Sequence, residues 1–264
     1  MKLFRREYGN GPPLIILHGL YGSSDNWATV AKKLSENFTV YLPDQRNHGQ
    51  SPHSPTHDYD SMSDDIHELA RELKLDKFFL AGHSMGGKTA ICFALKWPEM
   101  LNGLLIADIS PFKSENFNDA YNQHLTILRS ILSVDLSKIS VRDDVRKALS
   151  ENISSEKTIG LIMKNLERTH GNSFTWKINA SSLLNNLVKI MEGINPASYS
   201  NQQITGFPVI FLRGEESGYL PLSDIRDITR IFPAVEFITI KGAGHWLHAD
   251  KPDEVIKNIL RLKE

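Results

Sequence analysis

Ser84 stands in the stretch Gly82-His83-Ser84-Met85-Gly86, which fits the pattern G-x-S-x-G. An apolar run precedes it at 78–81 (FFLA), and a helix-spaced segment follows at 86–97, stopped by Pro98. In that strand–turn–helix setting the pattern has a mechanical meaning. A tight turn pushes the serine hydroxyl outward, and the small glycines let the backbone pack closely enough to make it. The helix N-terminus behind the serine adds partial positive charge where an oxyanion would develop. The chemistry this prepares is nucleophilic attack on a carbonyl.

Such an attack needs a general base and two donors for the oxyanion. Ten histidines compete for the first role. His245 lies in the Gly-rich segment Gly242-Ala243-Gly244-His245-Trp246, just past the strand-like run 236–240 (EFITI), where a loop can bring an imidazole to the serine. The architecture built on this turn runs Ser, acid, His along the chain. That order excludes His18, His48 and His83 and leaves His248 as the nearest competitor. One oxyanion donor is expected from the backbone of the residue after the nucleophile, Met85. The other is expected from the loop after the first clear strand, His18-Gly19-Leu20-Tyr21-Gly22, where Leu20 is the natural choice. His48, His53 and His57 crowd a Pro-rich loop, but their spacing matches no standard metal pattern. No metal and no cofactor are expected.

The orienting carboxylate must fall between Ser84 and His245, at the end of a strand. Three residues qualify: Asp108 after 104–107 (LLIA), and Glu215 and Glu216 after 209–212 (VIFL). A carboxylate ending a buried strand needs donors, which a histidine would supply. The residues alone leave Asp108 and the Glu pair open.

The elements that must position these groups alternate for the first 110 residues. Strands are expected at 14–17, 38–42, 78–81 and 104–107, with helices at 26–34, 62–73 and 86–97. In the second helix Met62, Ile66, Leu69 and Leu73 share one face. Continuous apolar strands are those buried on both faces between helices. From 112 to 200 helices follow one another at 120–132, 141–150, 158–168 (with Gly171 as C-cap) and 182–191, broken by an alternating run at 173–178. Strands at 209–212 and 236–240 and helices at 225–231 and 252–262 complete the chain. The expected fold is α/β: a mostly parallel sheet flanked by helices, formed by 1–111 and 201–264, with an inserted helical cap at 112–200.

Composition narrows the partners. A formal net charge of −1 with 23% charged residues gives no electrostatic reason to expect nucleic acid or a charged membrane. The N-terminus lacks the apolar core of roughly 7–15 residues that marks a secretory signal, and no run approaches the ~18 apolar residues of a spanning helix. A cytoplasmic location is expected by default. Cys92, the single cysteine, lies in an apolar helical stretch and is expected to be a buried free thiol.

Taken together, HGLYGSSDNW (18–27), DQRNHGQS (44–51), GHSMGGK (82–88), DISP (108–111), RGEESGY (213–219) and GAGHWLHADKPD (242–253) resemble the α/β-hydrolases, and in particular the YbfF-like esterases. The resemblance runs nearly end to end. It implies that Asp108 carries the acid, one strand earlier than in most α/β-hydrolases, and that Ser217 occupies the usual acid slot and helps support the histidine. Glu215-Glu216 depart from the Gly-Asn more often found there, which leaves open a Glu contribution or a more acidic pocket rim. Short- to medium-chain acyl esters or thioesters are the implied small-molecule substrates. Trp27, Phe112, Tyr121, His124 and Tyr219 are expected to line the pocket under the cap. C–C bond hydrolysis or a synthase reaction with the same triad, or a ligand-binding protein on the same fold, are the alternatives.

Overall fold

In the computed structural model, which describes residues 1–169, 171, 173–193 and 203–264, seven strands form one sheet in the order β1-β3-β2-β4-β5-β8-β9. They are β1 (Arg5–Tyr8), β2 (Pro13–Leu17), β3 (Thr39–Pro43), β4 (Phe78–His83), β5 (Leu101–Ala107), β8 (Val209–Gly214) and β9 (Val235–Ile240). Every pairing is parallel except β1 with β3. β1 has no apolar run, since it reads RREY along the sheet edge, so the hydrophobic pattern does not announce it.

The central strands are apolar throughout because both faces are covered. On β2, Ile15 and Leu17 pack with Ile66 and Leu69 of α2 (Tyr59–Glu72) and with Ile91 of α3 (Met85–Lys96). Leu14 and Ile16 face the other way, onto Val30 and Leu34 of α1 (Ala28–Leu34) and Val255 and Ile259 of α11 (Pro252–Leu260). α9 (Ile225–Ile231) completes the first layer through Ile228 and Ile231. This is the doubly covered parallel sheet expected from the sequence. Cys92 is buried within α3.

Residues 117–191 build α4 (Phe117–Ser133), α5 (Arg142–Ser150), α6 (Glu156–Met163), a two-stranded antiparallel sheet of β6 (Leu166–Arg168) and β7 (Phe174–Trp176), α7 (Ala180–Asn185) and α8 (Leu187–Met191). Their apolar side chains meet in a separate cluster that includes Leu128, Ile131, Val145, Leu149, Ile162 and Leu183. Tyr21, on the loop after β2, joins this cluster from below.

Two expectations fail here. The helix expected over 158–168 stops at Met163, and Gly171 is a turn residue rather than a C-cap. Leu166 has helical spacing from Ile162 but belongs to β6, where it pairs with Trp176 of β7, and the preceding Asn165 donates its side-chain N–H to the Tyr21 carbonyl at 2.8 Å. The helix expected over 182–191 is two helices, split at Asn186, whose Nδ2 donates to the Pro55 carbonyl at 2.8 Å. The expected boundary between Ser200 and Asn201 lies outside the described residues.

Candidate active site

Ser84 is the single residue between β4 and α3, held at φ 53° and ψ −120°. That region is costly for a residue with a Cβ, so the surroundings must impose it. The Ser84 N–H donates to the Ala107 carbonyl at 3.1 Å, and its own carbonyl accepts Lys88 N–H at 3.0 Å. Gly86 has no room for a side chain: a Cβ there would stand 2.5 Å from the His18 carbonyl oxygen and 2.6 Å from that of Leu17. Gly82 is closed in the same way by the Gly86 carbonyl. The two glycines of the pattern are therefore what let the turn lie flat against β2.

Asp108 follows β5, the neighbour of β4, and also has positive φ, 52°. Its carboxylate is 0% exposed and fully supplied with donors. Oδ1 accepts the Gly214 N–H at 2.8 Å, and Oδ2 accepts both His245 Nδ1–H at 2.8 Å and the Ser217 hydroxyl. Ser217 thus bonds the carboxylate, not the imidazole. Its oxygen in turn accepts Tyr219 N–H at 3.3 Å.

His245 lies between β9 and α10 (Leu247–Asp250). Tyr219 stacks on its ring with centroids 3.8 Å apart. Its backbone carbonyl accepts the Nε2–H of His83 at 2.7 Å, so the residue preceding the serine tethers the histidine loop. In the sequence His83 reads only as an excluded base. The Glu pair is exposed and away from the cavity; Glu215 Oε2 accepts the Gly242 N–H at 2.9 Å and so braces the loop that carries His245. The expectation of a more acidic pocket rim from this pair is corrected accordingly.

The loop bearing Leu20 is fixed through its own histidine. His18 Nε2 accepts Gln45 N–H at 2.9 Å, which puts the ring proton on Nδ1, donated to Gly19 O at 2.8 Å. Gln45 also donates to the His18 carbonyl at 2.7 Å and accepts the Thr89 hydroxyl of α3 at 3.0 Å, linking this loop to the helix behind Ser84. His48 accepts the Tyr21 N–H at 3.3 Å and donates to Arg46 O, while His57 contacts the Met85 sulfur at 3.4 Å and Asn47. Burial pushes His18, His48 and His83 down from the ordinary imidazole range and His57 down to about 3. These rings serve as neutral struts. His53 is exposed and bonds Lys177 O. Among the described residues, the Leu20 and Met85 N–H groups have no protein partner, and both residues line the same cavity as Ser84 and His245.

That cavity holds about 570 Å³ between the sheet's carboxyl edge and the helices from 117 to 191. Of the residues named from the sequence, Trp27, Phe112, His124 and Tyr219 lie on its wall and Tyr121 does not. On α4, Asp119, Ala120, Gln123, His124 and Ile127 line the cavity, and Tyr121, about 100° around the helix from Ala120, stacks on Phe117 instead. Lys88 and Tyr59, unremarked in the sequence, also line the wall. His248 stacks on Trp27 at 4.5 Å, and burial pushes it down to about 3; it does not bond Asp108. No hydrogen bond joins Ser84 Oγ to His245 in this structure; in unliganded sites that bond commonly tightens only when substrate binds.

A family model described as alpha/beta hydrolase fold matches residues 12–126. The chain is 33% identical to a putative esterase/lipase of Haemophilus influenzae, over 96% of this chain and 83% of that protein. It is 28% identical to esterase YbfF of Escherichia coli, over 96% and 93%. Among solved structures, a marine microorganism esterase superimposes with a TM-score of 0.93 at 41% identity, covering 99% of each chain.

Proposed function

This chain belongs to the α/β-hydrolase family, and we propose that it is a serine esterase cleaving short- to medium-chain acyl esters or thioesters through an acyl-enzyme on Ser84. The observation that carries this reading is the 2.8 Å bond from His245 Nδ1 to Asp108, which leaves Nε2 free as base in the cavity that Ser84 enters. The esterase and lipase names among its relatives support the reaction class. The cavity volume falls in the range of roughly 300–1,000 Å³ that holds small molecules.

In this reading His245 Nε2 takes the proton from Ser84 Oγ as the oxygen attacks the carbonyl. The Leu20 and Met85 N–H groups receive the developing oxyanion, and Asp108 stabilises the imidazolium. The imidazolium then protonates the departing alcohol or thiol. Water, deprotonated by the same nitrogen, attacks the acyl group and frees Ser84. The described part of the 112–200 insertion acts as a cap over the acyl site. No cofactor enters any step. No described helix is long and apolar enough to cross a membrane, and a cytoplasmic location is part of the proposal.

Turnover of p-nitrophenyl butyrate tests this directly. Wild-type protein is expected to hydrolyse it, and Ser84→Ala to lose several orders of magnitude in kcat. Equal rates for the two proteins would remove Ser84 from the mechanism.

A further inference from the structure

Lys88 lies one helical turn beyond Ser84, about 6 Å along α3, and the mechanism above gives it no task. It is 6% exposed, yet it lines the cavity. Among the described residues its ammonium makes one hydrogen bond, to the Glu192 backbone carbonyl at 3.1 Å, and stands 5.8 Å from the centroid of the Tyr59 ring. Among the described residues no carboxylate forms an ion pair with it. The acids on the cavity wall are otherwise placed: Asp224 accepts from Ser110 and Ser223, and Asp119 lies in the first turn of α4.

A buried ammonium without a counterion is costly and rare. This nitrogen has three N–H donors, and among the described residues one carbonyl takes one of them. Burial lowers its pKa only to about 8, so it remains a cation at neutral pH. A fixed positive charge in the wall of a reaction cavity, one turn from the nucleophile, is a recognition element for an anion. The available volume, and the presence of Lys88 and Ser84 on one cavity wall, favour a small planar anion carried by the substrate itself.

We propose that Lys88 binds a carboxylate on the substrate, so that this hydrolase prefers short esters bearing a free carboxylate to their neutral counterparts. The proposal rests on the esterase reading. The carboxylate can belong to the acyl half, as in a dicarboxylic half-ester, or to the alcohol half, as in an acylated hydroxy acid. Loss of the charge weakens the anionic member of each pair selectively, and Lys88→Arg restores part of it.

The test uses two substrate pairs followed by pH-stat titration at pH 7: monomethyl and dimethyl glutarate, and O-butyryl lactate and its methyl ester. In at least one pair the anionic ester should have the higher kcat/KM, and that ratio should fall tenfold or more in Lys88→Met and recover in Lys88→Arg. Glutarate binding to Ser84→Ala protein, measured by calorimetry, should vanish in the Ser84→Ala/Lys88→Met double variant. Because that measurement needs no turnover, it separates failure of this proposal from failure of the esterase reading. Preference for the neutral ester in both pairs, or an unchanged ratio in Lys88→Met, would overturn it. A lower melting temperature with an unchanged ratio would make Lys88 only a tie to the Glu192 carbonyl. If Lys88→Met does not fold, the wild-type ratios and the Lys88→Arg comparison decide.

Discussion

Asp108 and His245 are 137 residues apart in sequence and 2.8 Å apart in space, joined through Oδ2 and Nδ1. The carboxylate reaches the imidazole from the end of β5, not from the end of β8, where Glu215 and Glu216 stand. β5 and β8 are adjacent and parallel, so a shift of one strand moves the acid by only about 5 Å. Ser217, after β8, then meets the same carboxylate from the side.

Replacing the acid should therefore separate the candidates. Asp108→Asn is expected to lower kcat by about 10³–10⁴-fold, since the amide no longer holds the imidazole in the right tautomer. Glu215→Gln keeps an acceptor for Gly242 N–H, and Glu216→Gln touches no cavity residue, so both should stay within a few-fold of wild type. A collapse in either Gln variant with a near-normal Asp108→Asn would move the acid to β8.

Ser217→Ala removes one charged hydrogen bond from a buried carboxylate that keeps two others. Such a bond is worth about 1.5–3 kcal/mol, so kcat should fall roughly ten- to a hundredfold, less than in Asp108→Asn. Steady-state kinetics on p-nitrophenyl butyrate would show it; a loss equal to that of Asp108→Asn would give Ser217 a larger role than bracing.

His83 tethers the His245 backbone carbonyl through its ring N–H. His83→Phe keeps a ring of similar size and deletes the donor, so kcat should drop about tenfold while KM changes much less. His83→Gln, which can still donate, should recover part of the loss. An unchanged kcat in His83→Phe would mean that the loop holds His245 unaided.

The buried histidines set an acid limit on stability. His57 and His248 are pushed down to about 3 in the folded protein and titrate near 6.5 when unfolded. Between those values the unfolded chain binds more protons, so stability is full above about pH 6.5 and declines as pH falls toward 3. Each contributes up to about 1.4 kcal/mol per pH unit well inside that window. Asp58 and Asp250, held below their ordinary value of 3.8, add their loss only under more acidic conditions. The melting temperature should be clearly lower at pH 5 than at pH 7.5; equal values would contradict neutral, buried rings.

The parts of this site visible in the sequence are those with local causes. Ser84 is legible because its turn leaves a steric signature in Gly82 and Gly86, and the apolar strands because burial on both faces permits little else. The residues alone leave Asp108 level with the Glu pair, and only the family resemblance separates them, since its donors come from β8 and the His245 loop. Glu215 was illegible because its partner, Gly242, is fixed by the packing of β8 against β9. Tyr121 fails by a single helical position, which spacing cannot resolve until the facing surface is known. Leu166 follows Ile162 at helical spacing, but pairing with Trp176 holds it in a strand, with Asn165 beside it bonded to Tyr21, 144 residues away. Lys88 carries no signal in the sequence beyond its place in the helix after Ser84; its position in the cavity wall is a property of the packed fold.

The central claim is that Ser84 forms a covalent acyl intermediate activated by His245. Intact-mass spectrometry after treatment with a fluorophosphonate probe tests it most directly. The wild-type chain should gain one adduct, mapped to the peptide containing Ser84, while Ser84→Ala gains none and His245→Ala reacts at least a hundredfold more slowly. Labelling that persists in Ser84→Ala, or no labelling of folded wild-type protein, would contradict the account.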